Sequence, residues 1–372
     1  MTATPRSGAE TSELVRESAA RGDRVAIRGG STHSRAFEKT SATRVIVTTG
    51  LDRIVDYQPE NLVLEVETGI RFAALQRFLA EHGQRLPLDP LSIVPEERST
   101  LGGVLSTNRF GPRRLRFGTA RDWVIGSWLV RSDGAEVRAG GKVVKNVSGY
   151  DLSKLYIGAR GRFGVLTRVA LKLDPLPPAQ AWIQATFSDF HAVQEGLRAL
   201  EQARLGVSGA IAFQTSLAVV LEGWKELVPR DTQRALETIG GAGGGVEGVS
   251  EQMPDVMMGT ARWKRTVRLA TKRSRWSSLA VDARTLFDER AEHRLLGHPS
   301  SGTLWISWND AITGTIDLSR LAQAHDANLA VERWPDDESA PTSPAADPQQ
   351  TRLEEALKFA LDPDNLFVTE PW

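Results

Sequence analysis

The stretch of sequence that decides the fold covers residues 145–152 and reads Lys145-Asn146-Val147-Ser148-Gly149-Tyr150-Asp151-Leu152. On its C-terminal side, residues 164–173 (GVLTRVALKL) have the apolar and β-branched pattern of a strand. On its N-terminal side, residues 124–130 (VIGSWLV) predict another strand, and Asp133 followed by Gly134 predicts a hairpin turn directly after it. The stretch is therefore expected to lie among short strands joined by glycine-rich turns.

Further elements are predicted toward the N-terminus. Thr11 or Ser12 is suited to cap a helix that ends near Gly22. Apolar residues recur at helical spacing between residues 72 and 79, and that helix is expected to stop at Gly83. Strands are predicted at residues 24–28, 44–49, 54–55 and 62–67.

A dense run of prolines at residues 174–178 (DPLPP) predicts the main domain boundary, because such a run ends regular structure and stiffens a linker. We therefore expect an N-terminal domain over residues 1–175, a second domain over residues 179–350, and a C-terminal helix and tail over residues 351–372. The final helix itself is predicted at residues 352–361.

The second domain is predicted to be α+β, because strand-like and helical runs alternate in it. The strands are predicted at residues 182–187, 210–213, 218–221 and 303–308, and the helices at residues 192–204 and 230–238. The glycines of residues 240–245 are expected to form a loop, and residues 335–350 a mobile loop or linker. No fixed-period repeat is apparent.

The composition limits the class of protein. The chain has 372 residues, 46 basic and 46 acidic side chains, and no cysteine. A formal net charge of zero argues against a general nucleic-acid or membrane-surface binder. Without cysteine the chain forms no disulfide and ligates no cysteine-bound zinc or iron–sulfur cluster. No segment predicts a secretory signal or a membrane span, so a cytoplasmic location is expected.

Two glycine-rich segments have the composition of ligand-binding turns. In the first, Gly29 and Gly30 follow a predicted strand and precede Ser31 and Thr32. This order favours a nest of backbone N–H groups for a pyrophosphate, and a tight surface turn is the alternative. The glycine spacing is not that of the dinucleotide-binding fingerprint, which argues against a nicotinamide dehydrogenase.

The second segment contains Gly102 and Gly103, where the missing side chains would let the backbone approach a flat or charged ligand closely. Thr100, Ser106 and Asn108 would then form hydrogen bonds with the polar edge of that ligand. A buried loop that uses glycine for close packing is the alternative interpretation.

Taken in this order, the segments resemble the FAD-binding domain of the vanillyl-alcohol-oxidase superfamily, also called the PCMH-type FAD domain, and within it the E-type subunits of glycolate oxidase. The residues that carry the resemblance are Gly102-Gly103, Gly111-Pro112-Arg113-Arg114, Gly118, Arg121-Asp122, residues 145–152 and Gly164-Val165-Leu166-Thr167. The resemblance covers roughly residues 20–175 and returns at residues 361–367. Taken alone, Lys145 and Asp151 would be an ordinary ion pair.

The resemblance implies an α+β fold, in which a PCMH-type FAD-binding domain of two α+β subdomains is followed by a smaller α+β cap domain. It implies FAD as the cofactor and hydride transfer from a 2-hydroxy acid to the flavin. By position, Gly29, Gly30, Ser31 and Thr32 would cradle the pyrophosphate. The other residues that the resemblance places beside FAD are Thr100, Gly102, Gly103, Asn108, Gly118, Asp122, Gly164 and Val165.

The chain departs from the family pattern at three places. His33 lies in the pyrophosphate segment, but its surroundings differ from those of the family's covalently linked histidines, so noncovalent FAD is expected. The tail over residues 367–372 lacks the usual asparagine–proline–glycine turn, so its contact with the FAD domain is not expected to follow that of the relatives. Arg160 and Arg162 make one loop more basic than in many relatives, so contacts near the adenine are expected to differ.

The sequence assigns no catalytic residue. His298 and Arg268 are the candidates for handling a hydroxyl proton and a carboxylate, but each is expected to be a surface residue instead. Arg113, Arg114 and Arg116 are expected in a solvated or subunit-facing loop. No histidine pair has metal spacing with carboxylates, so no metal is expected.

The sequence therefore predicts an FAD-dependent oxidoreductase acting on CH–OH groups, as a subunit of a glycolate oxidase-like (2-hydroxy acid dehydrogenase) complex. The expected partners are a larger paralogous flavoprotein subunit and an iron–sulfur subunit, with a small 2-hydroxy acid as substrate and no nucleic acid. Two alternatives remain open. One is a partner-binding flavoprotein subunit without a substrate site, and the other is a stand-alone oxidase or dehydrogenase for another alcohol or D-lactate.

Overall fold

In the computed structural model of the chain, the described residues are 1–31, 42–91, 96–141, 152–254, 263–287, 292–309, 317–335, 338, 340–341 and 348–368. The stretch at residues 145–151 lies outside them, as do Thr32 and His33. The chain divides into two compact units. The first unit comprises Met1–Phe110, Gly118–Leu176 and Ala345–Pro371, and the second comprises Gly111–Phe117 and Pro177–Pro344 with Trp372.

The helices of the described residues are numbered in chain order. They are α1 (Gly8–Arg21), α2 (Phe72–Glu81), α3 (Leu101–Thr107), α4 (Arg114–Phe117), α5 (Ala120–Trp123), α6 (Ser153–Tyr156), α7 (Phe190–Gln202), α8 (Leu227–Gly241), α9 (Trp276–Phe287), α10 (Leu318–Ala324) and α11 (Pro348–Leu361).

The strands are numbered in the same way. They are β1 (Thr2–Ala3), β2 (Val25–Arg28), β3 (Arg44–Val47), β4 (Ile54–Gln58), β5 (Val63–Glu67), β6 (Gln84–Arg85), β7 (Val124–Val130), β8 (Glu136–Gly140), β9 (Val165–Lys172), β10 (Asp174–Pro175), β11 (Ala179–Thr186), β12 (Val207–Phe213), β13 (Ser216–Gly223), β14 (Gly245–Ser250), β15 (Arg265–Ala270), β16 (His293–His298), β17 (Thr303–Trp308) and β18 (Asn328–Arg333).

The first unit contains two main sheets. One is a three-stranded parallel sheet of order β1-β3-β2. The other is a five-stranded antiparallel sheet of order β4-β5-β9-β7-β8. The hairpin predicted after β7 is confirmed, since Gly134 has the left-handed φ of 73° between β7 and β8. A cluster of buried apolar side chains contains Val25 and Ile46 from the parallel sheet together with Val130 and Val165 from the antiparallel one.

Helix α1 begins earlier than the sequence predicts. Ser7 is its N-cap, because the backbone N–H of Glu10 donates to Ser7 Oγ at 3.1 Å. The prediction of Thr11 or Ser12 as the cap is wrong, since both are buried inside the helix. The predicted end is confirmed: Gly22 closes the helix with a left-handed φ of 66°.

Helix α3 occupies the segment for which we considered a ligand-binding or buried loop. Thr100 Oγ1 accepts a hydrogen bond from the Gly103 N–H at 3.1 Å, and Asn108 ends the helix with a left-handed φ of 48°. The loop interpretation is therefore wrong. The side-chain cap at one end and the left-handed residue at the other favour a helix despite the low helix propensity of Gly102 and Gly103.

The second unit contains the same order of elements twice. The series β11-α7-β12-β13-α8-β14 is followed by β15-α9-β16-β17-α10-β18. Together they form one antiparallel eight-stranded sheet of order β14-β11-β13-β12-β16-β17-β15-β18. The two halves join where Phe213 of β12 lies opposite Leu296 of β16. The expectation that there is no repeat holds for the residue pattern but fails for the fold, because the halves share the order of their elements and not a sequence period.

The helices α7, α8, α9 and α10 supply side chains to one continuous core together with residues of seven of the eight strands. The exception is β14, whose residues are exposed. Trp276 and Phe287 of α9 are fully buried in this core, and the Trp276 indole N–H donates to the Thr303 carbonyl oxygen at 3.0 Å. The prediction of a loop over residues 240–245 is partly wrong, since α8 continues to Gly241 and β14 begins at Gly245.

Candidate cofactor site

A cavity lies within the first unit, where the ends of several elements converge. It is an open cleft with about 950 Å³ of atom-free space, a volume that includes the solvent at its mouth. The residues that line it are Ile27, Arg28, Gly29, Gly30, Ser31, Thr48, Thr68, Gly102, Gly103, Ser106, Thr107, Tyr156, Ala159, Arg160, Gly161, Phe163, Gly164 and Leu166. They form three walls, each built around glycine.

The first wall is the turn that follows β2. A Cβ atom at Gly29 would overlap Thr100 Oγ1, and one at Gly30 would overlap the carbonyl oxygen of Arg98. Ser31 then adopts a left-handed backbone with φ of 53°, which is uncommon for a residue other than glycine. Because neither glycine has room for a side chain, the backbone itself forms this surface of the cavity.

The second wall is helix α3. The Gly102 N–H donates to the Thr68 carbonyl oxygen at 2.6 Å, which places α3 directly against the end of β5. The Thr107 hydroxyl donates to the Gly103 carbonyl oxygen at 2.6 Å. The wall therefore presents small residues and hydroxyl groups, and it leaves room for a ligand to approach the helix backbone.

The third wall is the loop between α6 and β9. Arg160 and Gly161 have left-handed φ angles of 51° and 81°, so the chain turns sharply at the cavity surface. The Arg160 N–H donates to the Ser106 carbonyl oxygen at 2.9 Å, which ties this loop to α3. At the base of the loop, a Cβ atom at Gly164 would lie 2.7 Å from the Val130 carbonyl oxygen. Backbone strain of this kind is typical of ligand-binding sites.

The cavity has the chemistry of a site for a long ligand that is partly anionic and partly apolar. Arg28 and Arg160 bring positive charge to its lining, and several hydroxyl groups provide hydrogen-bond partners. The Tyr156 hydroxyl carries its proton at neutral pH, as an ordinary tyrosine does, and burial raises its pKa further, so it can donate a hydrogen bond. Phe163 and Leu166 add apolar surface.

The structure brings together only part of the predicted set of cofactor residues. Gly29, Gly30, Ser31, Gly102, Gly103 and Gly164 line the cavity. Thr100 lies behind Gly29, and Asn108 and Val165 adjoin the lining without forming part of it. Gly118 and Asp122 do not line it, since Asp122 accepts the Thr119 N–H at 2.8 Å as part of the cap of α5. Their contact with a cofactor stays a prediction, and Thr32 lies outside the described residues.

Several lining residues were not predicted from the sequence. Thr48 and Thr68 follow β3 and β5, and nothing in their local pattern marks them as ligand-binding. Tyr156 and Phe163 follow residues 145–152 closely along the chain. This proximity was the one feature of the sequence that could have identified them as lining residues. Pairing of the strands places these side chains at the cavity, and that information is not local in the sequence.

The residues considered for catalysis lie in the second unit. His298 ends β16 and is 1% exposed, so the prediction that it is a surface residue is wrong. Burial, with the nearby charge of Arg114, lowers its pKa to about 4. The Arg268 Nε donates to Glu332 at 3.0 Å, so this arginine forms an ion pair within the sheet.

The segment that precedes α4 is also built into the second unit. Arg113 forms an ion pair with the buried Glu222 at 2.7 Å and donates to Gln180 at 3.1 Å. The backbone N–H of Ala210 in β12 donates to the Pro112 carbonyl oxygen at 3.1 Å. Of the predicted solvated or subunit-facing loop, the solvated alternative is therefore wrong for Arg113, because the buried carboxylate of Glu222 on β13 is its partner.

Acid is expected to destabilise the second unit through His298. The pKa of His298 in the folded chain is about 4, below the ordinary value of 6.5, so the unfolded chain binds this proton more readily. Its contribution to stability is complete above pH 6.5 and is lost as the pH falls toward 4. The loss amounts to about 3 kcal/mol.

Denaturant unfolding from neutral pH down to about pH 4 measures this effect. His298→Gln is expected to lose that part of the pH dependence, whereas His191→Gln on the exposed side of α7 is expected to keep it. Equal acid sensitivity of the two variants would contradict the assignment.

Comparisons with known proteins agree with the geometry of the cavity. The family described as "FAD binding domain" matches residues 1–140. The match indicates that this part of the chain binds FAD. The glycolate oxidase subunit GlcE of Escherichia coli (strain K12) is 35% identical over 188 residues, which are 50% of this chain and 52% of that protein.

The chain is also similar to two further proteins. The glycolate oxidase subunit GlcD of Bacillus subtilis (strain 168) is 28% identical over 320 residues, covering 77% of this chain and 67% of that protein. A D-lactate dehydrogenase of Archaeoglobus fulgidus is 29% identical over 171 residues, covering 46% of this chain and 38% of that protein. These matches thus span from 38% to 67% of the relatives' own lengths.

Solved structures confirm the α+β fold expected for the FAD-binding chain. The carbohydrate oxidase of Microdochium nivale aligns with a TM-score of 0.70 at 16% identity, over 100% of this chain and 91% of that one. p-Cresol methylhydroxylase with substrate bound aligns with a TM-score of 0.73 at 15% identity, over 98% of this chain and 87% of that one. At these identities the comparison concerns the fold alone.

The residues of the cavity fit FAD. The glycine turn after β2 has no room for a Cβ at Gly30 and leaves the backbone facing the cavity, as a diphosphate requires. Arg28 and Arg160 supply charge opposite to that of the diphosphate, and the lining by Phe163 suits an aromatic ring. FAD is therefore the cofactor of this domain.

The described part of the chain also lacks the features of a metal site and of a membrane span. Across these residues, no group of three or more histidine, aspartate or glutamate side chains has the geometry to hold a metal ion. No helix among them is both long enough and apolar enough to cross a membrane.

Proposed function

We propose that the chain is the FAD-binding subunit of a glycolate oxidase-like complex, in which a small 2-hydroxy acid is oxidised at its CH–OH group. Similarity to the GlcE and GlcD subunits and to a D-lactate dehydrogenase supports this reaction class. A larger paralogous flavoprotein subunit and an iron–sulfur subunit are the partners we propose. Similarity to two differently named subunits supports the first of these.

The observation that carries the proposal is the cavity with three glycine walls in the first unit. When bound there, FAD would supply the hydride-accepting chemistry. The chain would hold the diphosphate with the backbone of Gly29 and Gly30, and Arg28 and Arg160 would balance its charge. The Tyr156 hydroxyl, which carries its proton at neutral pH, would donate a hydrogen bond to the cofactor.

Expression of the chain with and without its partner subunits tests this function. We expect flavin absorbance in both preparations after unbound FAD has been removed, because the cavity lies within one unit of this chain. Dye reduction that depends on a 2-hydroxy acid should be strong only when partners are present. A chain that carries no flavin and cannot rebind FAD would exclude the proposal.

A second candidate function is a flavoprotein subunit that binds partners and has no substrate site of its own. The ion pair of Arg268 with the buried Glu332 favours it. Arg268 was the candidate cation for a substrate carboxylate, and in the structure it is paired within the sheet instead. The same preparations separate the two functions. Turnover that survives in the complex after Gly30→Ala has left this chain without bound flavin would favour the second, since a working flavin here would not be needed.

A further inference from the structure

The C-terminal residues of the chain return to the sheet that leads into the FAD cavity. The Val25 N–H donates to the Leu366 carbonyl oxygen at 2.8 Å, and the Val368 N–H donates to the Val25 carbonyl oxygen at 2.9 Å. Phe367 pairs with Val25 in parallel register, and both side chains are buried. Residues 366–368 thus extend the three-stranded parallel sheet on the β2 side.

One lysine connects this segment with the loop that forms the third wall. Lys358, on α11, donates to the Arg162 carbonyl oxygen at 2.9 Å and to the Phe367 carbonyl oxygen at 2.8 Å. Its third partner is the Asp362 carboxylate at 2.5 Å. A single ammonium group therefore donates to acceptors on the loop, on the turn after the helix and on the returning strand.

Asp362 holds the turn between α11 and the returning strand. Its two carboxylate oxygens accept the Leu366 and Phe367 N–H groups, each at 2.9 Å. The side chain of Asp362 is fully buried. This carboxylate therefore fixes the direction in which the strand leaves the helix.

Helix α11 and the returning strand each contact the support of one wall of the cavity: Lys358 of the helix binds Arg162, and residues 366–368 pair with Val25. β2 continues into Gly29 and Gly30 of the first wall, and Arg162 follows Arg160 and Gly161 of the third. Residues 366–368 themselves do not line the cavity. The segment can thus affect FAD only through the positions of the walls.

We propose that residues 348–368, called here the C-terminal strap, position the first and third walls for FAD, with Lys358 as the main positioning residue. Docking of the strap and binding of FAD then stabilise each other, since two events that favour one arrangement of the walls are coupled reciprocally. The inference rests on FAD as the ligand of the cavity and is independent of the substrate.

Hydrogen exchange on the full chain, with FAD removed and then restored, tests the coupling directly. FAD should slow exchange of the Leu366, Phe367 and Val368 amides, although none of these residues lines the cavity. The Val219 amide in β13 of the second unit is the control and should not change. FAD that binds without slowing the strap amides overturns the inference and leaves the proposed function intact. Absence of FAD binding contradicts the proposed function instead.

A matched pair of variants tests the role of Lys358. Lys358→Met should weaken FAD binding at least about fivefold, measured by the absorbance and fluorescence of bound flavin. Arg352→Met removes a cation from an exposed position of the same helix and should leave the affinity unchanged. Lys358→Arg keeps the charge and should recover part of the affinity. Equal affinity of the two methionine variants would overturn the role of Lys358, and if Lys358→Met fails to fold, the exchange experiment on the unaltered chain decides.

Discussion

Replacing Asp362 with alanine should lower the free energy of unfolding of the first unit by about 3–5 kcal/mol, because it breaks a buried ion pair on one side only. The variant would leave the half-buried Lys358 ammonium without its carboxylate partner. It would also leave the Leu366 and Phe367 N–H groups without the oxygens that accept them. Three partners lose one common acceptor, which makes this the largest stability effect that we expect in the chain.

Denaturant unfolding followed in parallel with Asp364→Ala measures the effect. Asp364 is exposed and lies two residues away in the same turn, so its replacement should change stability by less than about 0.5 kcal/mol. A loss below about 1 kcal/mol for Asp362→Ala would show that the carboxylate does not hold the turn as its contacts indicate.

Replacing Gly30 with alanine should weaken FAD binding about 10- to 100-fold. The new Cβ would overlap the Arg98 carbonyl oxygen, a backbone atom that cannot rotate away as a side-chain tip can. That carbonyl is also held by the Arg71 guanidinium at 2.5 Å, so the turn after β2 must move instead. Overpacking of this kind costs about 1–3 kcal/mol, which corresponds to the expected change in affinity.

Titration of the flavin-free chain with FAD measures the change for Gly30→Ala beside Gly240→Ala. Gly240 lies in α8 of the second unit with open space around it, so alanine fits there without a clash. This control should bind FAD as the unaltered chain does. Unchanged affinity of Gly30→Ala would mean that the turn after β2 does not contact the diphosphate.

The sequence was sufficient where the signal is local. The bounds of β7 follow from its apolar run, and the ends of α1 and α2 follow from Gly22 and Gly83. The paired glycines at Gly29 and Gly30 likewise predicted a turn after the strand. The residues alone left open whether that turn binds a pyrophosphate or is a tight surface turn, and only the family resemblance favoured the first.

The sequence was insufficient where partners come from distant parts of the chain. Lys358 and Arg162 are separated by 196 residues, and Arg113 and Glu222 by 109. No local pattern indicates such pairs, so the partners of Lys358 and of Arg113 were not predicted. Helix α3 was missed for another reason, since its caps at Thr100 and Asn108 outweigh the two glycines that suggested a loop.

The pairing of residues 366–368 with Val25 also sets an order of events during synthesis on the ribosome. The described strands of the second unit lie between residues 179 and 333, so all of them are made before residues 366–368. Val25 is made before these strands, yet its neighbours on that side of the parallel sheet, residues 366–368, are made after them. We therefore expect the first unit to complete its parallel sheet only after the strands of the second unit are available to pair.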